Sequence, residues 1–247
     1  DAKCVEKTFE RAEIDMMMCA IKGSISDADL SETDVQLLIT GDLLNQLTSS
    51  SYVARELSMP HLGLYSACST MSESLAIGAA FINAGYFDTV ACATVSHFAT
   101  AERQFRYPLA YGCQRPPYAQ WTVTGAGSSV LTKDGKGPRI TSATLGKDID
   151  FGTNDLNNMG AAMAPAAMST LLSMFKETDT SGDDYDLILT GDLGKLGSDI
   201  LRDLMLEQGY YLGQNYIDCG NIIYDVTQKC YQGGSGAGCS ASVLNSF

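Results

Sequence analysis

The stretch DVQLLITGDL at residues 34–43 returns as DYDLILTGDL at residues 184–193, 150 positions later. Each copy holds an apolar triplet without polar alternation, which predicts a strand buried on both faces. A glycine then supplies the turn, and an aspartate stands near the start of the next helix. Helical patterns flank both copies, at Glu6–Lys22 and Ser51–Leu57 in the first and at Gly160–Lys176 and Ser198–Gln208 in the second. The shared order of helix, acidic turn, strand and helix predicts two copies of one α/β unit.

Composition predicts a soluble globular protein. The 247 residues are 45% hydrophobic and 18% charged, and the net charge is −13. Nucleic acids and bare anionic membranes are bound through clustered Lys and Arg, so this charge argues against both as partners. We find no secretory signal and no run of the roughly 20 apolar residues that a membrane helix needs.

The eight cysteines indicate reduced, mostly buried thiols. They are scattered along the chain, several of them inside apolar runs. No CxxC pair and no Cys/His group at zinc spacing occurs among them. The sequence therefore predicts neither a disulfide framework nor a metal site.

The candidate functional residue is Cys68, in the stretch HLGLYSACST at residues 61–70. A short apolar run stops at this cysteine and a small-residue helical pattern begins at once, which predicts a strand-to-helix elbow. The start of a helix favours a thiolate, so such a cysteine can attack a substrate or hold an anion. The only histidines, His61 and His97, both lie in the first half. A cysteine enzyme that needs a distant histidine would have to do without one.

Further elements follow the same scheme. A helix is predicted from Met71 to near Gly85, and a strand at Thr89–Val95 that leads to His97. The segment after it opens a Gly/Pro-rich loop, of the kind that often covers a site. Two more strands and a closing glycine loop are predicted, at Trp121–Val130, Arg139–Leu145 and Gln232–Cys239.

Six motifs resemble the stage V sporulation protein AD family over nearly the whole chain: GDLLN 41–45, YVAR 52–55, ACST 67–70, TAERQFRYP 100–108, AMAPAA 162–167 and GGSG 233–236. More remotely, the layout is similar to the thiolase-fold condensing enzymes, such as ketoacyl synthase III. This resemblance implies an α/β, thiolase-like duplicated fold, with five layers α-β-α-β-α and mixed sheets. The implied halves are residues 1–137 and 138–247. We expect the first strand of the N-terminal half and the last strands of the C-terminal half to be missing from this sequence.

The resemblance also bears on catalysis. Condensing enzymes of this fold place an acyl group on the elbow cysteine, and a histidine and a second His or Asn polarise its carbonyl. Cys68 matches the cysteine, but the histidine position falls on or beside Gly191 and the second position near Gly234. Each missing group lowers such a reaction rate by about 10²–10⁴-fold. We therefore expect a binding pocket that is not an active site.

The ligand implied by the resemblance is dipicolinic acid, a pyridine dicarboxylate taken up into the developing spore. Backbone N–H groups at Cys68 and Ser69 and in the glycine loop would bind its carboxylates, and an arginine could pair with one of them. The expected ligand-binding residues are Cys68, Ser69, His97, Arg103, Arg106, Gly191, Asp192, Gly233 and Gly234. No cofactor is expected, and co-binding of calcium stays open. The expected location is peripheral on the spore inner membrane, with membrane proteins of the same transport system as partners.

Several alternatives remain open. Cys68 could still accept an acyl group, or the protein could be a scaffold or plug for its membrane partners. His97 could cap the buried strand that it follows or bond to backbone, and Arg103 and Arg106 could form ion pairs. Asp42 and Asp192 are expected as helix caps. A homodimer, common in this fold, would pair through an edge strand, for which Thr89–Val95 is the candidate.

Overall fold

The computed structural model describes residues 5–44, 47–105, 116–155 and 157–246. The chain forms two compact units. The first comprises Asp1–Cys113, Thr122–Ile140 and Gly236–Phe247, and the second comprises Gln114–Trp121 and Thr141–Ser235. These units are defined by packing, whereas the predicted halves 1–137 and 138–247 follow the repeat. The boundary between the halves therefore stays a prediction.

The regular elements alternate between helix and strand along most of the chain. The strands are β1 (Leu37–Asp42), β2 (His61–Gly63), β3 (Thr89–Ser96), β4 (Trp121–Thr122), β5 (Gly125–Thr132), β6 (Ile188–Thr190), β7 (Tyr216–Asp218) and β8 (Gly234–Ser235). The helices are α1 (Phe9–Asp27), α2 (Thr48–Leu57), α3 (Thr70–Asn83), α4 (Phe98–Phe105), α5 (Met159–Thr178), α6 (Gly194–Glu207), α7 (Cys219–Ile222) and α8 (Ala237–Leu244).

A mixed sheet in the order β2-β1-β3-β5 forms the centre of the first unit. β1 pairs in parallel with β2 and β3, and β5 runs antiparallel to β3. Successive side chains of a strand point to opposite faces. Leu38 accordingly packs in the cluster that contains Met17 and Ile21 of α1, while Leu37 and Ile39 pack in the cluster that includes Phe81 of α3. The uninterrupted apolar run of the repeat is thus explained by helices on both faces of the sheet.

Helix α8 packs with its backbone against β5, which accounts for the glycines in that strand. A Cβ at Gly127 would overlap the carbonyl oxygen of Ala241, and one at Gly125 would lie 2.6 Å from Ser242 Oγ. The predicted strand at Trp121–Val130 is confirmed as β4 and β5, with a break at residues 123–124.

The second unit repeats the order of the first. α5 and α6 pack with β6 and β7 around Phe175, Leu201 and Met205. A serine–aspartate capping box recurs 150 residues apart: the Ser31 N–H donates to Asp34 Oδ2 at 2.8 Å, and the Ser181 N–H donates to Asp184 Oδ2 at 2.7 Å.

A polar pair between the parallel strands recurs as well. Thr40 Oγ1 lies 2.8 Å from His61 Nε2 in the first unit, and Thr190 Oγ1 lies 2.9 Å from the hydroxyl of Tyr216 in the second. The predicted internal repeat is therefore visible in hydrogen bonds as well as in sequence.

Two strand predictions need correction. Residues 139–145 contain no strand. Leu145 is 81% exposed, and none of the sheets formed by the described strands includes these residues. Thr89–Val95 is a strand, yet β3 is hydrogen-bonded to β1 and to β5, so it is an interior strand and cannot be the edge through which two copies pair. The edge strand that leads to the elbow is β2.

The described cysteines are thiols: Cys19 is exposed, Cys68 and Cys230 are half-buried, and the buried ones are Cys92, Cys219 and Cys239. Half of these six are buried, fewer than the sequence-based prediction of mostly buried thiols implies. Along the described chain we find no helix whose length and hydropathy would let it cross a bilayer.

Candidate functional site

The predicted elbow is present in the first unit, between β2 and α3. A short 3-10 turn at Ala67–Ser69 joins them, and Ala67 has a φ of +45°. A residue other than glycine is strained in this region, and such strain persists only where the surroundings enforce it. Thr70 enforces it here, because its hydroxyl donates to the Ala67 carbonyl at 2.8 Å and accepts from the Ser66 N–H at 3.1 Å.

Gly41 of the repeated motif packs closely against the elbow. Gly41 faces Leu64 and Thr70, and a Cβ at this position would lie 2.5 Å from the Leu64 carbonyl oxygen. The Leu64 N–H donates to the carbonyl of Thr40 at 2.9 Å, which continues the pairing with β1 beyond the last residue of β2. The glycine of the first TGDL copy is therefore required by the close approach of the elbow.

Cys68 is half-buried and packs beside Leu43, Ala101 and Ala237. The first turn of α8 closes over it, because Ser240 Oγ donates to the Cys68 carbonyl at 3.1 Å. The exposed neighbour Ser69 has its hydroxyl 2.7 Å from that of Ser66. Two hydroxyl groups and the N-terminus of the 14-residue helix α3 thus lie at the elbow.

Ser96, which sequence reasoning missed, fixes the start of α8 beside the elbow. Its hydroxyl donates to the Val123 carbonyl at 2.7 Å and accepts from the Gly238 N–H at 2.9 Å. Thr94 on the same strand donates to the Ala237 carbonyl at 3.2 Å. The two bonds to α8, at Gly238 and Ala237, each join residues more than 140 positions apart. No local sequence pattern signals them.

His97 has a structural role at the start of α4. It is 4% exposed, its Nδ1 accepts from the Ala99 N–H at 3.1 Å, and its ring centroid lies 5.2 Å from that of Phe9. The alternative that His97 bonds to backbone is thereby confirmed, and its part in ligand binding stays a prediction. His61 lies on β2, where burial lowers the pKa of its ring.

Both predicted arginines fall where the structure gives no side-chain position. Arg106 lies outside the described residues, as does the side chain of Arg103, whose backbone belongs to α4. Their role as carboxylate partners stays a prediction.

In the second unit, Gln120 brings two predicted site residues together. Its Nε2 donates to the Asp192 carbonyl at 2.6 Å and to the Gly234 carbonyl at 3.2 Å. Gly191 directly follows β6, at the predicted strand-to-helix turn. Gly233 has a φ of +82° and accepts from the Trp121 N–H at 3.0 Å. The part of these residues in ligand binding stays a prediction.

The aspartates at the strand ends bind helix N-termini. Asp42 accepts from the N–H groups of Leu44 at 3.1 Å and Ser50 at 3.3 Å, so its predicted capping of α2 is confirmed. Asp192 was predicted to cap α6, but the N–H groups of Leu193 and Gly194 donate to Asp218 at 2.9 Å and 2.8 Å.

Asp218 comes from the neighbouring parallel strand β7, and no local sequence pattern indicates its role. Thr190 also donates to it, at 2.6 Å. Burial raises the pKa of Asp218, and these donors oppose that rise. The anion-binding end of α6 is thus filled by a carboxylate of the chain itself. Among the described side chains, no three of His, Cys, Asp and Glu gather as a metal site.

This combination of folded units and cysteine elbow defines a thiolase-like fold. Over 98% of this chain, 3-oxoacyl-[acyl-carrier-protein] synthase III from Aquifex aeolicus VF5 is similar with a TM-score of 0.66, at 15% identity and with 76% of that chain covered. OleA of Xanthomonas campestris bound with cerulenin has a TM-score of 0.70 at 12% identity, covering 94% of this chain and 70% of that one. At these identities the likeness establishes the fold alone.

The family follows from sequence. Residues 1–247 match the family of stage V sporulation protein AD. The protein of that name from Bacillus subtilis (strain 168) is 46% identical over 243 residues, which is 98% of this chain and 72% of that protein. The chain belongs to the stage V sporulation protein AD family, and the predicted resemblance and fold class are confirmed.

Proposed function

We propose that this protein binds dipicolinic acid without transforming it and supports uptake of that acid into the developing spore. Membership of a sporulation family supports the setting. The ligand comes from what the family resemblance implies, and it fits the chemistry of the elbow. We further propose that the protein works at the spore inner membrane with membrane proteins of the same transport system.

The observation that carries this proposal is an intact elbow without its acid–base partners. The turn at Ala67–Ser69 places Cys68 between β2 and α3, directly after the strained residue Ala67. By the resemblance, the two positions of the catalytic side chains fall on or beside Gly191 and near Gly234. Glycine has no acid, no base and no side-chain donor, so transfer of an acyl group would proceed without general acid–base assistance.

The elbow offers what a carboxylate needs. A helix N-terminus carries partial positive charge. The hydroxyls of Ser66 and Ser69 lie at the start of α3, where they bond to each other and the Ser69 hydroxyl donates to the Ser66 carbonyl at 2.9 Å, so a carboxylate would have to replace these bonds. The chain as a whole has a net charge of −13, which repels a dianion at long range. Calcium bound to dipicolinate would cancel the ligand charge, so we expect the calcium chelate to bind at least as well as the free acid.

Calorimetric titration with dipicolinate, with and without Ca²⁺, tests the proposal. The wild type should give saturable heat. Cys68→Ala and Ser69→Ala should weaken binding at least several-fold, whereas Cys19→Ala, an exposed cysteine on α1, should leave it unchanged. Absence of heat under every condition would leave the scaffold alternative in place of binding.

A second candidate function, acyl transfer through Cys68, is favoured by the fold that the chain shares with condensing enzymes. The thiol sulfur would attack the thioester carbonyl, and the departing thiol of coenzyme A would take the proton. Incubation with acyl-coenzyme A followed by peptide mass spectrometry distinguishes the two. We expect no turnover; a Cys68-linked acyl group that forms and is released catalytically would establish an enzyme.

A further inference from the structure

The buried carboxyl groups of Glu13 and Asp42 in the first unit have no role in the proposed ligand site. Glu13, on α1, is 3% exposed, and Asp42, at the end of β1, is 2% exposed. Both carboxyls bind the first turn of α2, Glu13 through the Ser49 hydroxyl and Asp42 through the Ser50 hydroxyl at 3.1 Å. Two neighbouring serines therefore connect the two acids, and every hydrogen-bond donor named here is electrically neutral.

The hydrogen count around Thr100 favours a proton on Glu13. Thr100 Oγ1 lies 3.1 Å from Glu13 Oε2 and 2.9 Å from the His97 carbonyl oxygen. A hydroxyl has one hydrogen, and both neighbours are acceptors when Glu13 is ionised. If Thr100 donates to His97, as helical threonines commonly do, a protonated Glu13 supplies the hydrogen of the other contact. Asp42 is the better anion of the two, because two backbone N–H groups donate to it, that of Leu44 and that of Ser50 in the first turn of α2.

Asp42 of the pair and Thr100, which contacts Glu13, are each adjacent in sequence to a residue that packs at the elbow. Leu43, next to Asp42, and Ala101, next to Thr100, belong to the apolar cluster that packs around Cys68. A change in charge at the pair would therefore occur next to residues that pack at the elbow.

We propose that Glu13 and Asp42 share one proton and that the pair in this state, which we call the latch, holds α1, α2 and α4 together around the cysteine elbow. Release of the proton to solvent loosens the packing of these helices. With both carboxyls ionised, two like charges would be buried together without a positive partner among the described contacts. Burial and the nearby Asp42 raise the pKa of Glu13 to about 7, which places this change near neutral pH.

Other titratable groups on the packed elements are few. α1 adds Glu10, which also raises the pKa of Glu13, and the Arg11 and Asp15 ion pair. α2 adds Arg55 and Glu56, whose Nη2 and Oε1 atoms lie 3.9 Å apart. α4 adds His97, Glu102 and Arg103, of which the arginine side chain lies outside the described residues. On the sheet, β3 contributes Cys92, and burial raises the pKa of this thiol to about 12.

Hydrogen–deuterium exchange tests the latch without any ligand. Protection of the α2 and α4 amides, corrected for the intrinsic exchange rate, should fall at least about tenfold in the wild type from pH 5 to pH 8. Glu13→Gln, which keeps the hydrogen bonds but cannot ionise, should show no such fall. Asp27→Asn, at the exposed end of α1, should behave as the wild type. Equal protection at both pH values in the wild type, or the same fall in Glu13→Gln, would overturn the proposal.

An infrared titration keeps the test decisive should Glu13→Gln fail to fold. The wild type should show a protonated carboxyl band at pH 6 that disappears by pH 8. Absence of that band at pH 6 would refute the shared proton. Neither measurement uses dipicolinate, so failure of the latch and failure of the proposed function are separate results.

Discussion

Ser240 donates its hydroxyl hydrogen to the Cys68 carbonyl oxygen at 3.1 Å. The two residues are 172 positions apart, and this bond joins the first turn of α8 to the cysteine elbow. Further bonds from Ser96 and Thr94 hold the same helix end. The elbow is therefore shaped by a segment near the end of the sequence as much as by its own residues.

Ser240→Ala should lower the free energy of unfolding by about 1 kcal/mol, because it leaves the Cys68 carbonyl without this donor. The looser elbow should also let Cys68 react faster with an alkylating reagent. Denaturant unfolding and timed alkylation measure the two effects. Ser246→Ala, an exposed serine that bonds within its own helix end, is the control and should change neither. Unchanged alkylation in Ser240→Ala would show that α8 does not restrain the elbow.

Gly127→Ala should destabilise the protein by about 2 kcal/mol or more. The added methyl would overlap the Ala241 carbonyl, and neither the strand nor the helix backbone can retreat without losing hydrogen bonds. Gly23→Ala provides the matched comparison, since Gly23 lies in α1 with no atom within 4 Å of the new methyl. This second change should stabilise the protein by about 1 kcal/mol. Equal thermal shifts in the two variants would contradict the close packing of α8 on β5.

The sequence predicts the elements of this fold well where the signal is local. The apolar run at residues 37–39 can only be buried on both faces, and the structure packs helices on both. Helix ends are less certain: α1 was predicted to stop at Lys22, yet it continues through Gly23 to Asp27. A solvent-exposed glycine weakens a helix without ending it.

What the sequence could not predict depends on distant partners. Residues 139–145 are predicted as a strand, but they belong to none of the sheets that the described strands form. Asp218, Ser96 and Ser240 act on segments 24 to 172 residues away, and no spacing pattern announces such contacts. The elbow could be located from its own motif, whereas its supports could not.

Asp218→Asn should cost about 2 kcal/mol of stability. An asparagine would turn an N–H group towards the donors of Leu193 or Gly194 and would remove the negative charge at the start of α6. Thermal unfolding measures the loss. Asp203→Asn, an exposed aspartate on the same helix, should have a small effect. A small effect of Asp218→Asn as well would mean that α6 does not depend on this cap.

Stability should depend on pH through Glu13. Its pKa of about 7 in the folded protein exceeds its ordinary value of 4.5, so the folded state binds this proton more tightly. The stabilising contribution is complete below about pH 4.5 and is lost as the pH rises through about 7. At about 1.4 kcal/mol for each pH unit, the loss is at most about 3.5 kcal/mol.

The difference in unfolding free energy between wild type and Glu13→Gln, measured from pH 4.5 to pH 8, isolates this contribution. The variant should gain on the wild type as the pH rises. A constant difference across the range would show that Glu13 titrates at its ordinary value.

The location of the ligand can be tested directly on Cys68. Alkylation of the wild type, followed by peptide mass spectrometry, reports this thiol and the exposed Cys19 in one experiment. If the elbow holds dipicolinate, increasing ligand should slow modification of Cys68 to a saturating limit and leave Cys19 unaffected. Modification of Cys68 at an unchanged rate, under conditions in which calorimetry detects saturated binding, would place the ligand elsewhere and contradict a binding function for the elbow.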